Sequence, residues 1–237
     1  LAAFLGMNGF DEIPVLAPVT ARCAFTGNEV ITIGVPEAGQ VRDAFGGFLE
    51  ATLATQGCAA LPSARLADTG HDFTTFLNTS HAQVLIFTGG SSTSGVDMVR
   101  KTLAEAQATY LFESVQVRPG HPALAARLAD GRIVLGLPGN PLAAYTALYS
   151  SLPPLLAGMR GLPLPPLDTA EIAQDIPALT ASSQQRLIPA LVRECRAHPL
   201  PRRASYMLSG LSKATHLLVV DASGHTAGDR VPLLPVF

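Results

Sequence analysis

The residues of this 237-residue chain with the greatest chemical potential lie in three short runs rich in glycine or proline. In Thr88-Gly89-Gly90-Ser91-Ser92-Thr93-Ser94-Gly95 the paired glycines let a ligand approach the backbone, and the hydroxyls add hydrogen-bonding groups. A helix starting near Val96 would aim unpaired N–H groups and the positive end of its dipole at the same place, which is equipment for holding phosphate or a similar oxyanion. A flexible connection of this composition is an equally good reading of one such loop taken alone, so its position matters. Asp97 falls in the first turn of that helix, where the dipole stabilises a carboxylate that has no other role. With Glu29 and Asp68 at the ends of other strands, it could instead hold Mg²⁺ against phosphates, because hard cations take oxygen ligands. Each carboxylate taken singly is more often a solvated turn residue. Leu137-Pro138-Gly139-Asn140-Pro141 is a rigid turn with a proline at the start of a helix, either a plain connection or a wall of backbone groups facing a cleft. Arg118-Pro119-Gly120-His121-Pro122 is a similar stiff run carrying a cation; no nucleophile pairs with His121.

The elements that must position these groups alternate between strand and helix. Residues 15–25 read as a buried strand ending at Thr26-Gly27-Asn28-Glu29, and 44–56 as an amphipathic helix closed by Gly57. A strand at 58–61, a helix at 72–78 and the uninterrupted apolar strand 83–87 follow. Beyond the glycine-rich loop come a helix at 96–107, strands at 111–117 and 132–135, and a helix at 142–156 that leaves through Pro153-Pro154. This alternation predicts an α/β fold, a doubly wound, mostly parallel sheet over residues 1–160. In such sheets ligands bind outside the carboxyl ends of the strands, and the loops at 26–29, 88–97 and 137–141 all fall there. Residues 161–167, Gly-Leu-Pro-Leu-Pro-Pro-Leu, form a stiff linker. Residues 168–237 read as a small β-rich, barrel-like domain with strands at 169–175, 186–193 and 217–221 and a short helix at 205–214.

Composition excludes several classes. Hydrophobic residues make up 48% of the chain and charged ones 14%, which argues against disorder. A formal charge of −2 with no basic cluster leaves no footprint for nucleic acid. The three cysteines match neither a zinc spacing nor a disulfide framework, so a reducing cytoplasm is expected. No apolar run reaches the roughly 18 residues of a membrane span. Residue 1 is Leu rather than Met, from which further sequence upstream is expected.

Taken together, Thr88-Gly89-Gly90 through Asp97, Arg118-Pro119-Gly120-His121-Pro122 and Gly136-Leu137-Pro138-Gly139-Asn140-Pro141 resemble the MoeA and gephyrin E-domain family of molybdopterin molybdotransferases. The likeness extends to Thr26-Gly27-Asn28-Glu29, to Gly39-Gln40-Val41-Arg42-Asp43, and in the tail to residues 205–211 and 227–231. It implies insertion of molybdate into adenylylated molybdopterin with release of AMP and with Mg²⁺ as cofactor. On the same resemblance Thr88, Gly89, Gly90, Ser91, Ser92 and Ser94 would cradle the molybdopterin nucleotide, together with Arg118, Gly139 and Asn140. Glu29, Asp68 and Asp97 would serve catalysis, Glu29 and Asp97 the metal, and Pro138 and Pro141 would shape the molybdate side. A homodimer is implied, with a molybdopterin adenylyltransferase and molybdoenzymes as further partners. Family members carry two additional N-terminal domains. Asn28 stands where the family has Asp, Thr69 where a second Asp is common, Ser94-Gly95 where Gly-Asp is usual, and Ser114 and His121 where Lys is frequent. The cleft therefore carries less charge of both signs, and a non-catalytic binding protein of this fold, or an adenylyltransferase, stands as an alternative.

Overall fold

The computed structural model describes residues 1–89, 98–179, 183–201 and 204–237. In chain order the first half holds α1 (Ala2–Met7), β1 (Val19–Phe25), β2 (Val30–Ile31), β3 (Val41–Arg42), α2 (Phe48–Thr55), β4 (Cys58–Arg65) and α3 (Gly70–Thr79). It continues with β5 (Val84–Thr88), α4 (Met98–Glu105), β6 (Thr109–Phe112), β7 (Val117–Arg118), β8 (Leu124–Arg127), β9 (Ile133–Leu137) and α5 (Pro141–Met159). The second half holds β10 (Asp168–Ile172), β11 (Gln185–Arg193), β12 (Arg196–Pro199), a 3-10 turn at Leu211–Lys213, β13 (His216–Val220) and β14 (Arg230–Pro235).

The first sheet runs β4-β1-β5-β9-β8-β6. Its first four strands are parallel, and β8 and β6 join antiparallel. Strand β5 shows why it sits at the centre. All five of its residues are buried; Val84 and Ile86 face α2 and α5, whereas Leu85 and Phe87 face α3 and α4. A strand covered on both faces is apolar on both, because neither side meets water, and only Thr88 at its carboxyl end is polar. Phe87 stacks on Phe73 at 5.4 Å and meets Phe76 edge-on at 5.3 Å, so α3 is fixed by aromatic contacts. The doubly wound, mostly parallel sheet expected from the sequence is thus present.

The second sheet runs β12-β10-β14-β13-β11-β7, and a further β12–β11 pairing closes β10 to β14 into a barrel. Ile172, Ile188, Leu218, Val220 and Leu233 fill its interior. The alternate residues Leu187 and Leu217 point outward and join the core beneath α5. Phe237 meets Tyr149 of α5 edge-on at 4.7 Å.

Several expectations need correction. The helix at 142–156 does not leave at Pro153-Pro154; α5 runs through both prolines to Met159. Each interior proline costs roughly 3 kcal/mol. Burial of Tyr149, Leu152, Leu156 and Ala157 outweighs that cost. Residues 111–117 form two short strands rather than one, and β7 leaves the first sheet to pair with Gln185–Arg186 of β11. Helix at 205–214 shrinks to Leu211–Lys213. Strands β2, β3, β8, β12 and β14 are additional to those expected; β2 and β3 are two residues each, β14 contains two prolines, and β12 is only four residues long.

Candidate functional site

At the carboxyl end of the parallel strands the loops are bolted to one another by backbone contacts. After β1, Thr26 donates from Oγ1 to the carbonyl of Thr88 at 2.7 Å and from its N–H to the same oxygen at 3.3 Å. Gly89 donates its N–H to Leu137 O at 3.0 Å, tying the loop after β5 to the loop after β9. Its φ is +81°, and a Cβ there would stand 2.6 Å from Thr26 Oγ1, so only glycine fits on both counts. The loop after β4 joins through Leu66, whose N–H reaches Phe25 O at 3.0 Å, and through Asp68, whose Oδ2 accepts the Asn28 N–H at 3.2 Å.

These loops enclose a cavity of about 630 Å³. Its wall includes Thr26, Glu29, Asp68, Thr88, Gly89, Gly139, Asn140 and Pro141, so four separate sequence runs converge on one space. Of the expected ligand-binding residues, Arg118 and Pro138 are not on this wall. Arg118 is exposed on β7, which the barrel has drawn into its own sheet, and Pro138 is buried beneath the turn. Gly90, Ser91, Ser92, Ser94 and Asp97 lie outside the described residues.

The wall also includes three polar residues for which the sequence offered no site role: Asp43, Arg65 and Tyr206. Asp43 follows β3 and is nearly enclosed, its side chain 10% exposed. Its Oδ1 accepts the N–H groups of Phe45 at 2.9 Å and Gly46 at 3.1 Å, and its Oδ2 takes an ion pair from Arg65 at the end of β4. From below, Tyr145 of α5 donates its hydroxyl to Ala44 O at 3.1 Å and holds the turn. Burial pushes that phenol up to about 12, with Tyr149 and Asp43 adding to the shift, so Tyr145 acts as a neutral donor. Cys23, under the same sheet, is pushed up to about 12 by burial, then by Glu50 and Cys58; burial also raises Cys58. Both thiols are protonated at neutral pH and serve as packing.

The cavity also draws on the barrel. Ser205 O accepts the N–H groups of Leu142 at 2.8 Å and Ala143 at 3.3 Å, capping α5 from outside. Asn140 occupies the N-cap position, yet its side chain makes no capping bond. An N-cap asparagine ordinarily serves those same donors. With a carbonyl already there, its carboxamide is left to the cavity wall. Next to Ser205, Tyr206 presents a ring that is 63% exposed on the cavity rim.

No group of three or more His, Cys, Asp or Glu side chains gathers around a metal position among the described residues. Glu29 and Asp68 share the wall, and Asp43 has its oxygens occupied. Magnesium commonly binds through one or two carboxylates plus phosphate oxygens and water, and the chemistry of the two wall carboxylates is compatible with it.

Comparison with known proteins gives a consistent result. The family described as "Probable molybdopterin binding domain" matches residues 23–158. A molybdopterin molybdenumtransferase of Synechococcus elongatus is 30% identical over 230 residues, covering 94% of this chain and 55% of that protein. Molybdopterin molybdenumtransferase 2 of Mycobacterium tuberculosis is 30% identical over 173 residues, 70% of this chain and 42% of that protein. The chain therefore spans about half the length of the curated relatives it matches. Among solved structures, the molybdopterin biosynthesis MoeA protein of Pyrococcus horikoshii superposes with a TM-score of 0.80 at 17% identity, covering 99% of this chain and 58% of that one. A molybdenum cofactor biosynthesis protein of Pyrococcus furiosus gives 0.73 at 18% identity, covering 99% and 74%. No helix among the described residues is long and apolar enough to cross a membrane.

Proposed function

Given that this chain belongs to the family of probable molybdopterin-binding domains, we propose that its cavity receives adenylylated molybdopterin in molybdenum cofactor biosynthesis, as part of a protein that exchanges the nucleotide for molybdate. The observation that carries this reading is the convergence of the loops at 26–29, 66–68, 88–89 and 139–141 on one cavity. The relatives named as molybdopterin molybdenumtransferases support it.

On this reading the backbone at Thr88 and Gly89 lies against the ligand's phosphates, where the absence of a side chain on Gly89 permits close approach. Asn140 offers an amide that can both donate and accept. The exposed ring of Tyr206 forms a flat surface for a heteroaromatic group. Release of AMP adds the elements of water across the phosphoric anhydride: the P–O bond to one phosphate breaks, water oxygen bonds to phosphorus, and a wall carboxylate, Asp68 or Glu29, takes the proton. Glu29 and Asp97 would hold Mg²⁺, which when bound would offset phosphate charge. The work takes place in the cytoplasm, in a homodimer that meets a molybdopterin adenylyltransferase and recipient molybdoenzymes.

Calorimetric titration of the purified chain with AMP and Mg²⁺ tests the binding step. Saturable binding, weakened at least about tenfold by Asp68→Asn, is expected. No heat at millimolar AMP would overturn the reading. The saturated state of Asp43 and the neutral Asn28 favour a second reading, a binding protein without turnover. Restored molybdoenzyme activity in a molybdotransferase-deficient cell expressing the full coding sequence excludes it.

A further inference from the structure

Arg65 stands at the end of β4 on the cavity wall, its side chain 38% exposed. The ordinary reading of such a residue is a structural ion pair with Asp43. The hydrogen bonds at Asp43 argue for more. Its Oδ1 is filled by the Phe45 and Gly46 N–H groups, and Gly46 also approaches Oδ2 at 3.1 Å. The carboxylate therefore has no second open oxygen with which to take a two-pronged grip on the guanidinium. It accepts Nη2 alone. Arginine carries five N–H donors in a planar fork, and among the described residues the only acceptor for any of them is this one oxygen. The guanidinium carbon lies 5.7 Å from the centre of the Phe25 ring, so the group is braced by a carboxylate and an aromatic face while most of its donors remain uncommitted.

The charge pattern of the wall gives those donors a purpose. Glu29 and Asp68 are acidic, and an anionic ligand entering beside them needs a compensating cation. Arg42 also lines the cavity, but its Nη1 reaches the Gly34 carbonyl at 3.4 Å on the exposed β2–β3 ribbon. Arg65 is anchored to the sheet itself.

We propose that Arg65 is an oxyanion-recognition residue of this cavity: Asp43 fixes one corner of its guanidinium, and the remaining fork takes two oxygens of a phosphate on the bound nucleotide. Planar two-pronged contacts of this kind are stronger and more directional than a point-charge contact. This assignment rests on the nucleotide-binding reading above and adds to it the residue that distinguishes a nucleotide from a nucleoside.

The test titrates the wild-type chain, Arg65→Gln and Arg65→Lys with AMP and with adenosine, at fixed Mg²⁺. The wild type should prefer AMP. Arg65→Gln should lose about tenfold or more in AMP affinity while adenosine affinity stays within about twofold. Arg65→Lys keeps a cation for Asp43 but lacks the fork, and should fall between the two. Thermal melts establish that each variant is folded; if Arg65→Gln is not, Arg65→Lys decides, and AMP affinity equal to wild type overturns the assignment. Equal wild-type affinity for AMP and adenosine also overturns it. A wild-type chain that binds neither compound overturns the parent reading, whereas one that prefers AMP with Arg65→Gln unchanged overturns this inference alone.

Discussion

The two halves of the molecule use polar groups in opposite ways. In the barrel they are closed off locally. Asp229 Oδ2 accepts the Thr226 N–H at 2.8 Å and lies 3.5 Å from His225 Nδ1; the Thr226 N–H holds its carboxyl below the usual range, with the His225 charge assisting. Gln185 Nε2 donates to Asp221 Oδ1 at 2.9 Å, and Arg230 Nη2 to Thr169 Oγ1 at 2.9 Å, so these groups are spent on the barrel's own turns and strands. At the carboxyl end of the parallel sheet, Glu29, Asp68 and Asn140 come from separate loops, Arg65 from the end of β4, and all four face a shared space. Both halves have the same kinds of side chain. What separates a ligand site from a folding device here is whether donors and acceptors are left with capacity after the backbone has been satisfied.

The largest expected effect probes the buried base of the first sheet. Cys23 rises from 9.0 to about 12, so below pH 9 the protonated buried thiol contributes its full stability. That contribution is lost as pH climbs from 9 toward 12, because the unfolded thiol ionises first; the loss approaches about 4 kcal/mol. Tyr145 and Tyr149, each raised from 10.0 to about 12, act in the same direction over the upper part of that window. Urea midpoints from pH 8 to 11.5 should fall steeply, and Cys23→Ala should reduce the slope. An unchanged slope would mean that the thiol is not held neutral by the fold.

A matched pair of glycine substitutions sharpens the contrast. At Gly224, φ is +76° and an added Cβ would meet the Ala178 N–H nitrogen at 2.7 Å as well as Ile176 O, all backbone. Gly224→Ala should cost about 3 kcal/mol in chemical denaturation and leave AMP affinity within about twofold. Gly89→Ala meets one side-chain atom, Thr26 Oγ1, rather than backbone; displacing it breaks the bond to Thr88 O and should cost about 2 kcal/mol, yet lower AMP affinity at least about tenfold. Equal binding losses in both variants would erase the distinction between the halves. The smallest effect falls where the halves meet: Tyr206→Ala should weaken AMP binding about tenfold with no change in Tm, and Tyr206→Phe should retain it. A Tm drop with intact binding would make Tyr206 a packing residue.

How much of this was legible depended on how local each determinant is. The apolar run of β5 and the 3.6-residue period of α2 announced themselves, because burial on a sheet centre or a helix face repeats along the chain. The loops holding Glu29, Gly89 and Asn140 were legible because they follow buried strands, and in this fold class position alone sends them to one edge. The Asp43–Arg65 pair was not legible: 22 residues separate the partners, and their meeting depends on the parallel register of β1 with β4. Tyr206 belongs to the 205–211 run of the family likeness, but nothing in the run marks it as a cavity residue, since its place on the rim follows from the barrel docking on α5. The course of α5 through two prolines was hidden for a related reason: local propensity opposed it, and tertiary burial prevailed.

The carbonyl of Ser205 resting on the first turn of α5 has a consequence for how the molecule is assembled. Two amide donors in that turn could be served by the Asn140 side-chain oxygen or by the Ser205 carbonyl, and the barrel settles the matter by supplying the acceptor. A chain shortened to the α/β half would leave the Leu142 and Ala143 N–H groups seeking another partner, and Asn140, one residue before the helix, is the nearest. The freedom of Asn140 on the cavity wall is thus conditional on a tail more than 60 residues further along the chain, and the two halves shape that wall together.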